Sequence, residues 1–196
     1  VSNVDKSSKT LYNTDLTVIS RSTGEDDRVR GLINAKGIKI GFHVYNKLNQ
    51  VIFCNVAVLS PKHNYDINLP TSEFFKGTGA TRGMDFAASQ TGLEQHMLPV
   101  NTDRWAVTKH HRFELGLNTS GTDYWGNTGK ANYATKKLWI PINRQLRYQD
   151  TGALSCTTPI RLYYWFSLAD DDSAAPPTAA VANVSEYHTM IFTDVV

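Results

Sequence analysis

The second half of the chain contains four segments in which apolar and polar residues alternate with a period of two. The segments read WAVTKHHRFELG, KKLWIPINRQLRY, IRLYYWFSLADD and, at the end of the sequence, VSEYHTMIFTDVV. This period is typical of a β-strand that buries one face. No convincing helical pattern lies between these segments, and their connections are long and irregular. The pattern therefore predicts an all-β antiparallel sandwich.

The first half of the chain adds further strands. In LINAKGIKIGFHVY one face carries apolar residues and the other polar ones; these are Ile38, Ile40, Phe42 and Val44 against Lys39, His43 and Tyr45. Turn residues at 46–49 then predict a hairpin between this strand and residues 50–60. The latter segment is apolar on both faces, which indicates a central strand. A first strand is predicted over 11–20, and residues 1–9 are predicted to be loosely held.

Three long connections separate the strands, at 61–103, 116–135 and 170–182. The first holds three prolines and the glycine-rich KGTGATRGMDF. A short helix is predicted within it near Thr71–Lys76, because Thr71 and Ser72 can cap a helix. Loops of this length are usually functional or lie at an interface. The predicted organisation is one domain over residues 1–196 with long loops at the strand ends.

The charge balance limits how the chain could hold an anionic partner. The formal net charge is only +2 and charged residues make up 19% of the sequence. A nucleic acid would therefore need a local basic patch, or a basic segment upstream of Val1. No secretory leader and no apolar run long enough to cross a bilayer is found, so no membrane partner is predicted. Cys54 and Cys156 are predicted to be reduced thiols.

Catalytic signals are weak. The sequence has six histidines, and none has a recognisable metal-ligand spacing. His110 and His111 are adjacent on a predicted strand, so they point to opposite faces and cannot chelate one ion together. Nucleophile, zinc-protease and phosphate-loop motifs are missing. The prediction is a protein that is not an enzyme and needs no catalytic cofactor.

Basic residues offer a candidate binding surface. The stretch KHHR, which includes Lys109, His111 and Arg112, has no acidic residue within it, and further cations lie at Arg28, Arg30, Lys136, Lys137, Arg144 and Arg147. Cations lining one surface would bind phosphates in a sequence-tolerant, salt-sensitive way. Taken singly, each is also interpretable as an ordinary solvated charge, and both interpretations remain open here.

Aromatic side chains suggest contact between copies of the chain. Trp165 belongs to the outward row of its strand, and Tyr124 and Trp125 lie in a loop. Aromatic residues are enriched at interface cores, so these three are predicted at a subunit interface or, for Trp165, beneath a covering loop. Stacking of nucleotides is the alternative for the strand.

Carboxylates cluster at 25–27 and 170–172, with Asp194 near the end of the sequence. Oxygen-rich clusters suit Ca²⁺, although a solvated loop accounts for them equally simply.

The order of several segments resembles a known family. A Gly-acidic-Val-Arg stretch, GEDDRVRG, precedes an early strand, and His111-Arg112-Phe113 opens a middle one. LWIPINRQLRYQD, LYYWFSLAD and EYHTMIFTDVV then follow in order. This order is similar to that of the jelly-roll capsid proteins of satellite tobacco necrosis virus and of circular Rep-encoding single-stranded DNA viruses. The resemblance spans about residues 24–196, apart from 61–103.

The resemblance implies an eight-stranded antiparallel jelly-roll sandwich with long loops that self-assembles into a small icosahedral T=1 shell. The implied partners are other copies of the chain and a viral genome, with single-stranded DNA favoured over RNA; the implied location is the virion, and the host cytoplasm or nucleus during assembly. The positions that match the family's genome-contacting residues are Arg30, Lys62, His111 and Arg112. Calcium at subunit junctions would map to Asp194 and Asp27.

The sequence departs from the family pattern in one respect, and one alternative function is also compatible with it. Family members begin with an arginine-rich arm, whereas residues 1–9 hold only Lys6 and Lys9. Either such an arm lies upstream of Val1, or packaging works without it. The alternative function is a jelly-roll carbohydrate-binding module that uses Trp105, Trp125 and Trp165 as sugar platforms. A cupin-like metalloenzyme would need clustered histidine ligands, which the sequence does not offer.

Overall fold

The computed structural model describes residues 3–20, 31–62, 70–77, 82–118, 130–148, 156–172 and 175–194. These ranges contain ten strands and one short helix. In chain order the elements are β1 (Val4–Lys6), β2 (Tyr12–Asp15), β3 (Leu32–Asn46), β4 (Ile52–Pro61), β5 (Phe75–Lys76), β6 (Gly83–Met84), α1 (Gly92–Met97), β7 (Trp105–Leu115), β8 (Tyr133–Arg147), β9 (Arg161–Leu168) and β10 (Ala182–Asp194).

Eight of the strands form two four-stranded antiparallel sheets. One sheet has the order β1-β10-β3-β8 and the other has the order β2-β9-β4-β7. Successive strands of these eight lie in opposite sheets, except β4 and β7, which pair with each other in one sheet. This is the jelly-roll arrangement, and the predicted all-β antiparallel sandwich is confirmed. The predicted count of eight strands is wrong for the described chain, because β5 and β6 form a separate two-stranded sheet in the connection between β4 and β7.

The main core lies between the two large sheets. The alternation predicted for β3 is confirmed, since Ile38, Ile40, Phe42 and Val44 are all buried there. The alternating apolar residues of β9, including Leu162 and Phe166, meet them from the opposite sheet. Burial of these rows accounts for most of what holds the sheets together.

The predicted hairpin between β3 and residues 50–60 is wrong. β3 pairs with β10 and β8, whereas β4 pairs with β7 and β9 in the other sheet. The physical reason is that β4 is apolar on both faces and needs a packing layer against each: Val56 and Val58 pack across the main core against the sheet that contains β3, and Ala57 and Leu59 pack in a second cluster on the other face. The turn itself is present, and Asn46 donates to the backbone oxygens of Gln50 and Gly116, each at 2.7 Å.

A second core covers the outer face of the β2-β9-β4-β7 sheet. Phe74, Phe75 and Phe86 pack there on the outward rings of Tyr163 and Trp165. Helix α1 closes over the same face, and the backbone oxygen of its Gln95 accepts a 2.8 Å hydrogen bond from the Trp165 indole. This layer is built from the long connection that the sequence showed only as a loop, and we call its residues 70–77 and 82–104 the cover.

The helix predicted near Thr71–Lys76 is wrong. Glu73 has a φ of 46°, which no right-handed helix accommodates, and β5 follows directly. The helix instead begins after Thr91, whose side chain accepts from the Glu94 amide while the Glu94 carboxylate accepts from the Thr91 amide. This reciprocal pair is a capping box, and it explains why the helix begins there.

The amino-terminal segment is more ordered than predicted. β1 pairs with β10, and Lys9 is only 3% exposed, with its ammonium donating to the backbone oxygen of Ala175 at 2.9 Å. The strand predicted over 11–20 is shorter, because the Asp15 carboxylate accepts from the Thr17 amide at 2.8 Å and turns the chain. The order of the amino-terminal segment comes from contacts with segments far away in the sequence, whereas the early end of β2 comes from a local hydrogen bond.

A β-bulge changes the sheet face to which the side chains of β7 point. Its pairing with β4 shifts between Val58 and Leu59, so residue 108 is extra. Trp105 therefore lies in the second core while Leu115 lies in the main core, although an unbroken alternation would place both on one face. Cys54 and Cys156 are buried free thiols in different clusters. Within the described ranges, no helix is long and apolar enough to span a bilayer.

Candidate functional site

The two sheets differ in what covers their outer faces. The β2-β9-β4-β7 sheet lies beneath the cover, whereas the outward side chains of the β1-β10-β3-β8 sheet include large rings left in solvent. Tyr133, Trp139 and Tyr187 are 57%, 46% and 50% exposed there. Together with the outward cations of the same strands they define the aromatic–basic face, which consists of Lys39, His43, Tyr133, Lys137, Trp139 and Tyr187.

Two of the rings lie flat because β3 has glycines beneath them. A Cβ on Gly41 would come within 1.9 Å of the Tyr187 ring, and one on Gly37 would come within 2.4 Å of the Trp139 ring. The missing side chains let each ring lie over the β3 backbone, while about half of each side chain stays exposed. Glycine inside a strand costs β-sheet stability, so close approach of another group is a common reason for its presence.

The aromatic–basic face carries positive charge. Lys39, His43 and Lys137 are all exposed in its outward rows. In the described parts of β1, β3, β8 and β10, the outward carboxylate is Asp5, and it pairs with Lys47 at 2.6 Å at one end of the sheet. That pairing lowers the pKa of Asp5, together with a hydrogen bond from Asn183. The remaining cations of the face thus have no acidic neighbour in their rows, and the field there is positive.

A second group of basic side chains lies where the sandwich opens. Lys109 and His111 point towards the opening of the sandwich, because they pair with Val58 and Val56, whose side chains lie in the main core. β7 is an edge strand, and Lys136 of edge strand β8 faces it, with its ammonium 4.8 Å from the Phe113 ring. Burial lowers the pKa of His111, and the charges of Lys136 and Lys109 add to this. We call Lys109, His111 and Lys136 the edge cluster.

The edge cluster and the aromatic–basic face meet at β8. Lys136 points into the opening and Lys137, the next residue, points to the outer face, as strand alternation requires. A single strand therefore joins the two basic groups around the edge of the sheet.

The other predicted nucleic-acid contacts do not join this surface. Arg112 lies on the covered side of β7, where it donates to the Leu98 backbone oxygen at 2.7 Å. Lys62 lies past the end of β4 and donates to the Thr102 backbone oxygen at 2.6 Å. Both cations hold parts of the cover. Arg30 lies outside the described residues.

Of the two positions predicted for Trp165, the structure agrees with the one beneath a covering loop and not with the subunit interface, because the side chain is fully buried beneath the cover. Its alternation is as predicted, but Phe74, Phe75 and α1 occupy the space above it. Trp105 is also buried, at 1% exposure, so neither tryptophan can serve as a sugar platform. Tyr124 and Trp125 lie outside the described residues.

Of the two predicted calcium ligands, the structure describes only Asp194. Asp194 is half-buried at the end of β10, and Asp27 lies outside the described ranges. No cluster of three or more His, Cys, Asp or Glu side chains able to hold a metal is found among the described residues.

A histidine pair lies beneath the rim of the cover. His110 lies 5.6 Å from the Trp165 ring, and His96 of α1 stacks on Phe53 at 4.5 Å. Burial, together with the smaller effects of the Arg112, His111 and His96 charges, lowers the pKa of His110 to about 4. Burial and Arg112 also lower the pKa of His96, while Glu114 raises it. The His110 Nε2 has no hydrogen-bond partner among the described residues, so a proton there would be poorly compensated.

This arrangement predicts a loss of stability in acid. The pKa of His110 lies below the value of about 6.5 for an unfolded histidine, so the unfolded chain binds more protons between these values. Stability is therefore full above pH 6.5 and falls as the pH falls towards 4. We expect His110 to account for about 1–2 kcal/mol of this loss, since its ring is partly exposed and solvent screens part of the effect. Urea unfolding at pH 7 and pH 4 measures it.

His110→Gln should reduce the loss of unfolding free energy between pH 7 and pH 4 by about 1–2 kcal/mol. His43→Gln removes an exposed histidine from the opposite sheet and is the matched control, which should follow the wild type. Equal pH dependence in all three proteins would show that protonation of His110 does not loosen the fold.

The aromatic–basic face was largely missed by reasoning from the sequence. Lys137 was noted only as half of a basic pair, and Trp139 and Tyr187 were not singled out. A usable signal exists in β8, where Lys137 and Trp139 occupy the polar phase while Leu138 and Ile140 occupy the apolar one. Large rings in the polar phase of a strand indicate either a cover or a binding surface.

No known family model matches the sequence, and no curated protein is significantly similar to it.

Proposed function

We propose that the chain is a capsid protein that assembles into a closed shell and holds nucleic acid against its aromatic–basic face. The observation that carries this proposal is the contrast between the two outer faces of the sandwich. One is sealed by the chain's own cover, and the other presents cations and flat rings with its outward carboxylate already paired. The order of sequence segments that resembles jelly-roll capsid proteins supports the same function.

Charge and chemistry favour a nucleic-acid partner for this face. Lysine cations neutralise phosphates, histidine rings can hydrogen-bond to them, and tyrosine and tryptophan rings stack on bases. The edge cluster extends the positive surface around β8, so a bound strand could leave the face without losing contact with cations. Lys109 and His111 keep the genome-contacting role predicted for them. Single-stranded DNA remains favoured over RNA on the sequence resemblance.

Apolar side chains on the opposite side are suited to contacts between copies. Leu93 and Met97 are 56% and 60% exposed on one side of α1. Side chains four residues apart on a helix are neighbours, so the two form a small apolar patch. Such a patch on a shell protein would be buried between subunits. Tyr124 and Trp125 remain predicted contacts of the same kind, and calcium at Asp194 and Asp27 remains a prediction.

Assembly is tested by analytical ultracentrifugation and electron microscopy of the purified chain. We expect closed particles of uniform size across part of the pH and salt range. Monomers or small oligomers under all conditions would contradict the capsid proposal.

Neutralising the aromatic–basic face should reduce nucleic-acid content. The double variant Lys39→Gln, Lys137→Gln removes two cations without touching the core. For a single strand, loss of two phosphate contacts should lower the slope of log binding constant against log salt by about 1.4. Particle absorbance at 260 and 280 nm and fluorescence anisotropy at several salt concentrations measure these effects.

The control variant removes the same amount of positive charge from the covered side of the sandwich. Lys62→Gln, Lys76→Gln removes two lysines that contact the cover itself, at Thr102 and Asp103. We expect wild-type nucleic-acid content from this variant. Equal losses from both double variants would mean that net charge, and not the aromatic–basic face, governs binding.

A further inference from the structure

The two flat rings of the aromatic–basic face have a fixed spacing. Their glycine seats, Gly37 and Gly41, are four residues apart on β3, which corresponds to about 13 Å along the strand. Trp139 reaches its seat from β8 and Tyr187 reaches its seat from β10. Lys39 projects from β3 between the two seats. The face thus alternates ring, cation and ring along one line.

A pocket adjoins the Tyr187 ring. It has a volume of about 220 Å³, and its lining includes Gly41, His43, Thr135, Lys137 and Tyr187. This is smaller than the range of about 300–1,000 Å³ found for drug-sized ligands, so the pocket suits a single ring system. His43 is held by a 2.9 Å hydrogen bond with Thr135, which fixes one wall. A planar group in this pocket would lie beside both Tyr187 and Lys137, which line it.

We propose that Trp139 and Tyr187 each stack an unpaired base of a single-stranded nucleic acid, while Lys39 and Lys137 bind the phosphates between and beside them. This inference rests on the proposed function and adds to it the form of nucleic acid that is recognised. The site is specific for an unpaired strand and tolerant of sequence, because every base offers a π-face and the rings supply no base-edge code.

The geometry disfavours two other ligands. Bases of a duplex are stacked on each other, and rings lying flat on a sheet have no edge with which to enter a groove. A neutral sugar could rest on the rings but would leave Lys39 and Lys137 without a counter-charge. The combination of flat rings and alternating cations therefore fits an anionic strand with exposed bases.

The experiment compares three DNA probes of equal length: a single strand, a single strand of abasic sites, and a duplex. Binding is measured by fluorescence anisotropy with the full chain. The variants are Trp139→Ala, Tyr187→Ala and Gly41→Ala. Gly41→Ala keeps Tyr187 but places a Cβ where its ring lies, so it tests the position of the ring and not its presence. Melting temperatures close to that of the wild type check that each variant is folded.

We expect the wild type to bind the single strand more tightly than the abasic strand or the duplex. Each ring deletion should weaken single-strand binding by about 5- to 150-fold, the range for loss of one stacked base. Binding of the abasic strand should not change, because it uses only phosphate contacts. Gly41→Ala should behave as Tyr187→Ala, although it removes no ring.

Two outcomes would overturn the inference in distinguishable ways. If the wild type binds the single and abasic strands equally and the ring variants change nothing, the stacking site is wrong while the proposed nucleic-acid function stands. If no probe binds at low salt, both the stacking site and the proposed nucleic-acid function are wrong. Tight binding of a neutral polysaccharide that the ring deletions abolish would also overturn it and identify a sugar platform.

Discussion

Trp165→Ala is expected to destabilise the fold by about 3–5 kcal/mol, the range for removal of a fully buried large aromatic side chain. Trp165 is the ring on which the cover rests: Phe74 and Phe75 meet it edge-on at 5.3 and 5.9 Å, and its indole donates to Gln95 of α1. Truncation leaves both a cavity and an unpaired carbonyl. Urea denaturation followed by far-UV circular dichroism measures the loss.

Trp139→Ala is the matched control, because it removes the same side chain from the exposed face. It should change the free energy of unfolding by only about 0.5 kcal/mol, as is usual for surface substitutions. The pair is a direct test of the two roles assigned to tryptophan in this chain. Should Trp165→Ala keep full stability and lose only assembly, Trp165 would be a subunit contact and its burial beneath the cover would be wrong.

Asn46→Ala is expected to destabilise the fold by about 2–4 kcal/mol, because it leaves several buried polar groups unpaired. The Asn46 amide donates to the backbone oxygens of Gln50 and Gly116 at 2.7 Å, and its side-chain oxygen accepts from the Leu48 amide at 2.8 Å. One side chain therefore fixes the turn after β3 and joins it to the end of β7. Thermal and urea unfolding at neutral pH measure the effect.

Two further variants separate these contributions. Asn49→Ala changes an exposed residue of the same turn and should be nearly neutral. Asn46→Asp keeps an acceptor for Leu48 but loses both donated hydrogen bonds, so it should be clearly destabilised as well. A cost for Asn46→Ala no greater than that for Asn49→Ala would mean that the turn holds itself without this side chain.

Much of the sheet structure could be predicted because alternation is a local property. In β3 and β9 the period of two assigned each side chain to the correct face, and both rows of inward residues lie in the main core. The partner of each strand could not be predicted in the same way. The turn after β3 suggested a hairpin, but β4 has two apolar faces and takes β7 and β9 as its neighbours.

Of the candidate site, only part of the edge cluster was predicted from the sequence. Lys109 and His111 were identified from the basic stretch in β7, and the structure adds Lys136 beside them. Arg112 belongs to the same stretch, yet strand alternation carries it to the covered side, where it binds the Leu98 carbonyl. Proximity in sequence therefore grouped cations that the sheet separates.

By itself the sequence determined the class of fold and the facing of most strand residues, since both follow from a short-range pattern of apolar and polar side chains. Only the tertiary structure decided which outward faces meet solvent. Trp165 and Trp139 occupy equivalent outward phases in their strands, yet one is fully buried and the other is 46% exposed. The difference arises because residues 70–77 and 82–104, distant in sequence from both, pack on one sheet and leave the other open.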